Sequence, residues 1–414
     1  LVDTHLNTST ATAGEFLSWD GSDYDWAAAG ADLYAANESS PTAQPSATGA
    51  NAVAIGDSAV APDSNALAGP FSRSAGSHSV ALGIANNSSS YGAGGSYSIS
   101  IGYQSRAMAL QSVALGSSSY VDSDSSRGLA LGENAFVQQC DYGTALGAGA
   151  RVYGGNTATE ATAIGSSYAS GTASFAAAIA NNTSTYGAQG ANSLAIGRRA
   201  KAAAQSAAMG YSATADGSYS LALGTYAKAS AFSSIAISAE TSGYYTEALQ
   251  SNSVAIGTRA KANIRGKFAF ANGAFGDNGD AQLGIFSLRS DTTDATAEAL
   301  TTNKSTAGTT NQVVLPNNSA YGFTGTIIAR ENSAQTNDFA VWEVKGGAVR
   351  AASAATTALG SYNINKISES TGAAAWAIGI SADTTNGAIA FTVTGEASHS
   401  IRWVATINTT EVTY

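Results

Sequence analysis

Side chains able to do chemistry are scarce in this 414-residue chain, and their spacing argues against catalysis. The three histidines, His5, His78 and His399, lie far apart, which leaves metal coordination by histidine unsupported. A Ser-His-Asp arrangement would have to join His399 and Ser400 to a distant acid such as Asp383; an exposed turn histidine is the simpler reading. Glycan cleavage needs two carboxylates about 5 to 10 Å apart on a groove. Between residues 142 and 239 the only acids are Glu160 and Asp216, several repeats apart, so the chain is expected not to be an enzyme. Asp122 with Asp124, and Asp277 with Asn278 and Asp280, alternate oxygen ligands without a full calcium loop and read as solvated turns. Cys140 is alone, which excludes an intrachain disulfide framework. No catalytic, cofactor or metal residue is assigned. Arg198, Arg199 and Lys201, with Arg259 and Lys261 in the equivalent place, read as a solvated basic face, contact with acidic glycans being the competing reading.

Composition narrows the elements that must position these groups. Only 12% of residues are charged while Gly, Ala and Ser abound, the mark of a regular structure packed through small side chains. A formal charge of −10 gives no general footprint for nucleic acid or an anionic membrane. The most apolar runs, such as FAAAIA at 175 to 180, are far shorter than a bilayer span, so no membrane insertion is expected.

One phrase recurs: NAVAIG ends at Gly56, SVALG at Gly83, SISIG at Gly102, SVALG at Gly116, GLALG at Gly132, GTALG at Gly147 and ATAIG at Gly165. It continues to Gly197, Gly210, Gly224 and Gly257, with Ala180 and Ser238 replacing the glycine in degenerate copies and FAFA at 268 to 271 as the last. A modal spacing of 14 residues suits two short strands and two turns per coil. The closing glycine is expected to take a positive φ and turn the chain. Val53 and Ile55 alternate with Ala52 and Ala54, giving each strand a large and a small face. The small face is expected to let another chain approach closely, so the rod should form a closed symmetric homotrimer. Two near-identical insertions, 85 to 102 and 180 to 197, read as surface bulges presenting Asn, Ser and Tyr.

The S-V-A-I-G phrase with a following A-x-A, over about residues 50 to 271, resembles the head repeats of trimeric autotransporter adhesins. That resemblance implies a trimer of left-handed parallel β-rolls and an adhesive or structural role. The chain departs from the bacterial members in that neither a heptad stalk nor a membrane anchor of amphipathic strands follows the repeats. Instead TNQVVLPNNSAYGFTGTIIAR and the stretch from ISADTTNGAIAFTVTG to the end resemble carboxyl-terminal β-domains of marine phage tail fibres. GEFLSWDGSDYDW likewise resembles small hairpin units of such fibres.

The expected fold is therefore all-β: a hairpin unit and connector at 1 to 50, a β-roll rod at 51 to 271, a neck at 272 to 282 and an antiparallel β-sandwich tip at 283 to 414. Alternation of Ile389, Phe391 and Val393, and of Ile401, Trp403, Ala405 and Ile407, marks two strands of that sandwich, with Asn386-Gly387 as a hairpin turn. Trp342, Trp376 and Trp403 are expected within strands as packing residues. The reading is a phage tail fibre on the virion tail, binding other tail proteins and a host cell-surface receptor, glycan or protein, through its tip. Asn332, Gln335, Asn386 and His399 are the receptor-contact candidates. The competing readings are a bacterial surface adhesin and, less favoured, a glycan depolymerase.

Overall fold

The computed structural model describes residues 15–19, 24–28 and 43–414, except 182, 241–242 and 333–336. The chain is all-β, a solenoid of about 16 turns and then antiparallel sheets. It divides into two compact units, Leu1–Asn134 and Ala135–Tyr414.

In the first unit, strands Glu15–Trp19 and Tyr24–Ala28 pair antiparallel with Trp19 opposite Tyr24. The Asp20-Gly21 turn expected between them lies outside the described residues. From Val53 onward the repeats stack in parallel register: Val113 pairs with Ile99 and Leu129, Ala114 with Ser100 and Ala130. A second strand series runs alongside, with Arg106 between Gly92 and Tyr120. The second unit repeats the plan: Leu221 pairs with Ala207 and Ile235, Lys201 with Gly187 and Thr214.

The strand faces correct the sequence reading. Alanines such as Ala114, Ala130, Ala222 and Ala255 are fully buried inside the coil, whereas the large residues point outward: Ile99, Ile101, Leu131, Ile164 and Leu223 are each about two-fifths exposed. Two strand series held together by two short turns leave a narrow interior, filled mostly by alanine and serine with Ile84, Val121, Val137, Val152 and Ile179 as its larger side chains. The small face is therefore the core of each coil and the large face its outside, the reverse of the expectation.

The corners also carry more than glycine. Gly116 has φ +128 at its turn, but Tyr97, Gln104, Gln111 and Ser118 hold left-handed backbones as well. In several repeats a buried serine that opens the phrase closes the preceding corner, as Ser112 Oγ donates to the Ala109 carbonyl at 2.7 Å and Ser206 Oγ to that of Ala203 at 2.7 Å. In the two insertions Asn86 and Asn181 accept the backbone N–H two residues on, at 3.0 and 2.8 Å, an identical turn in each. Their tips, 88–90 and 183–185, are exposed, while Tyr91 is half-buried and takes Arg106 over its ring at 5.6 Å.

Direction reverses after Phe268–Asn272. Nine strands follow: β1 (Ala281–Thr292), β2 (Ala297–Ala299), β3 (Val313–Val314), β4 (Ser319–Glu331), β5 (Phe339–Arg350), β6 (Ala358–Glu369), β7 (Ala377–Asp383), β8 (Ala388–Thr394) and β9 (Ile401–Thr413). β1 pairs antiparallel with the last coil strand, Ile285 opposite Phe268. A five-stranded antiparallel sheet runs β1-β9-β4-β5-β6, and a smaller one joins β2, β3 and β7 to β8. The two pack through one apolar cluster containing Phe286, Trp342, Phe391 and Trp403, which extends to Ile264 of the last coil. Trp342 stacks on Trp403 with centroids 5.6 Å apart. Trp376 is buried too, but in the turn before β7 rather than within a strand.

A buried ionic group ties the last coil to β9. Lys267 Nζ lies 2.6 Å from Glu411 Oε2, which also accepts from Gln282 Nε2 at 2.7 Å, while Thr409 Oγ1 donates to Oε1 at 2.7 Å. Burial lowers the Lys267 pKa despite Glu411, and burial together with the Glu411 charge pushes the Tyr321 phenol well up.

Candidate functional site

Three surfaces emerge, and the first is the outward ladder. In the second unit Leu221 and Leu223, Ile235 and Ile237, Val254 and Ile256, and Phe268 and Phe270 lie in register. Through Phe268–Ile285 and Phe270–Leu283 the ladder runs onto the outer face of the five-stranded sheet. There Leu283, Val404, Val412 and Val349 are exposed, and a groove of about 870 Å³ opens between Leu283, Tyr362 and Asn408. Exposed apolar residues in register make this face a candidate interaction surface. Short-range alternation revealed the pattern but not which side faced out.

The receptor candidates form the second surface, and they separate. The Asn332 N–H donates to the Ser400 carbonyl at 2.7 Å, and His399 Nδ1 lies 3.3 Å from Glu331 Oε1, so Asn332 and His399 share one end of the sheet. Asn386 is at the other end: Leu315 donates to the Gly387 carbonyl, and Arg350, opposite Ser319 at the start of β4, donates to the Leu315 carbonyl at 2.5 Å. Thirteen residues of β4 separate the two ends, about 40 Å at strand rise. Asn386 spends its carboxamide on Asp383 at 2.7 Å and is a half-buried turn cap. Gln335 lies outside the described residues. The same distance keeps Asp383 from His399, so the two cannot act together.

Two further sequence readings meet the structure here. Asp280 accepts backbone N–H groups from Phe275, Gly276 and Asp277 at 2.6 to 2.9 Å; burial raises its pKa, but those donors outweigh it and hold it below the ordinary value. Its oxygens cap a turn, and no group of three or more metal-ligating side chains occurs among the described residues. The third surface is basic and lies in the second unit, where its cations extend beyond those singled out in the sequence: Arg151 and Lys228 also sit in the second strand series.

Residues 47–68, 93–119, 188–207, 203–227 and 243–275 match the family described as YadA head domain repeat. Such repeats are typical of trimeric adhesins; over the matched stretches they indicate an adhesin-like fibre, a class that points to an extracellular or surface location. No curated protein matches the chain. Among solved structures, a tailspike protein from Acinetobacter baumannii bacteriophage Fri1, described as a capsular polysaccharide depolymerase, is 9% identical. That likeness covers 88% of this chain and 71% of the other, at a TM-score of 0.23. A likeness at that score carries no argument about this chain's activity. The neighbour's description speaks against the expectation of a non-enzyme, which is dropped without any activity being assigned to this chain. The spacing argument behind that expectation is also narrower than the expectation, because stacking brings residues of successive coils side by side. The main-chain carbonyl of Asp141, one residue outside the window considered, accepts the Glu160 N–H at 2.9 Å, so the two acids stand in adjacent turns.

Proposed function

We propose that the chain is one subunit of a homotrimeric adhesive fibre, a phage tail fibre on the virion whose rod (51–271) and neck (272–282) hold a receptor-binding tip (283–414) away from other tail proteins, with 1–50 as the amino-terminal connector. The outward ladder of Val, Leu, Ile and Phe carries this reading: it is the surface a symmetric assembly would cover, and the head-repeat matches fall on it. The end of the sheet bearing Asn332 and His399 lies far along the strands from the coil junction at Leu283–Ile285, which suits it to receptor contact.

Light scattering at micromolar concentration should give three times the 41.3 kDa of one chain; a single-chain mass ends the trimer reading. Labelled protein should bind host cells saturably. Asn332→Ala with His399→Ser should weaken that binding roughly ten-fold or more, since about 1 kcal/mol per contact is multiplied across three tips. Undiminished binding by a variant with unchanged melting would move receptor recognition off this end.

A further inference from the structure

The solenoid's second strand series carries an outward face unlike the apolar ladder. Its register in the second unit runs Lys201, Thr214, Lys228, Glu247, Lys261, with the neighbouring alanines turned inward. Cations therefore recur at every second strand, about 10 Å apart. Along the adjoining corner Tyr211 and Tyr226 meet edge to face at 5.4 Å, and Tyr226 and Tyr245 at 5.6 Å. Arg198 lies 5.8 Å from the Tyr211 ring, Lys228 5.5 Å from that of Tyr245, and Arg259 3.5 Å from that of Tyr244, which is 45% exposed. From 198 to 265 there are seven Lys and Arg against three Asp and Glu, an inversion of sign in a chain whose net charge is −10.

We propose that this strip binds an acidic polysaccharide lying along the solenoid. The cation spacing is close to one disaccharide, so alternate sugars bearing a carboxylate would meet successive lysines. Tyrosine rings supply flat apolar faces for sugar C–H groups and hydroxyls for hydrogen bonds. Asp216, 3.0 Å from Lys201, and Glu247, 3.3 Å from Lys228, orient those cations and offer acceptors to sugar hydroxyls. A nucleic acid fits less well: its strands carry a charge about every 3.4 Å, far denser than these partly neutralised cations. The strip lies within one chain, so its test does not depend on the subunit count or on the tip.

The full chain is titrated at 150 mM salt with polygalacturonate, with its fully methyl-esterified form and with double-stranded DNA. Polygalacturonate should bind at least ten-fold tighter than either. Arg198→Ser and Tyr244→Ser should each weaken it several-fold with melting unchanged, whereas Lys304→Ser, which removes a cation elsewhere, should not. Equal binding of the ester or of DNA overturns the proposal, as does polygalacturonate binding that survives Arg198→Ser unchanged. Should Tyr244→Ser shift melting, Arg198→Ser and Lys201→Gln decide.

Discussion

A Cβ on Gly116, whose φ is +128, would stand 2.6 Å from the Gly132 carbonyl oxygen in the next coil. Gly116→Val should therefore destabilise the chain by several kcal/mol, about 1–3 from backbone strain alone, and thermal melting unchanged from wild type would remove the glycine's role. The repeat phrase makes that glycine readable in sequence. It does not show that tyrosine, glutamine and serine hold left-handed backbones at other corners, because the neighbouring coils impose that conformation. Still less does it show the Lys267–Glu411 pair, whose partners are 144 residues apart. Glu411→Gln leaves a buried ammonium without its counter-charge and should cost about 3–5 kcal/mol in denaturant unfolding, much of it recovered by adding Lys267→Met. The pH dependence follows from the directions of the shifts. With the Lys267 pKa lowered on folding, its contribution rises with pH until the unfolded lysine titrates near 10.4. With the Tyr321 pKa raised on folding, its contribution is present below about pH 10 and lost as pH climbs beyond. Tyr321→Phe should therefore flatten the alkaline loss of stability above about pH 10.

At the scale of the strand, two-residue alternation was enough to assign the short parallel strands and the long carboxyl-terminal ones. It could not tell inside from outside, because a half-buried large residue and an inward alanine alternate in the same way; the width of the coil decides, and width is a property of two strand series together. The consequence is a clean separation of effects. Ala114→Leu, at a fully buried position, should overpack the coil and destabilise each chain by about 1–3 kcal/mol, read as a lower melting temperature. Leu223→Asp and Ile101→Asp, on the outward ladder, should leave the β-sheet circular dichroism intact and dissociate the subunits in sedimentation. Dissociation by neither variant would put the contact between copies on another face.

For the molecule as a whole, the sequence identified the solenoid and an antiparallel region after it, whereas the separation of Asn332 and His399 from Asn386 depended on the register of strands too distant in sequence for any local pattern to reveal. The reversal at β1 bears on how the chain comes to be folded. The coils bury mainly alanine and serine with a few Val and Ile, while the large apolar cluster is made by residues 264 to 407 and reaches back to Ile264. In a stack where each layer touches only its neighbours, growth starts where one layer has extra support. That support follows the coils in the chain. If growth starts there, coil segments upstream of it emerge before their template exists, and the winding runs opposite to synthesis. Pulsed hydrogen exchange during refolding should show β1, β4 and β9 protected first and the coils back towards Ala135 closing behind them.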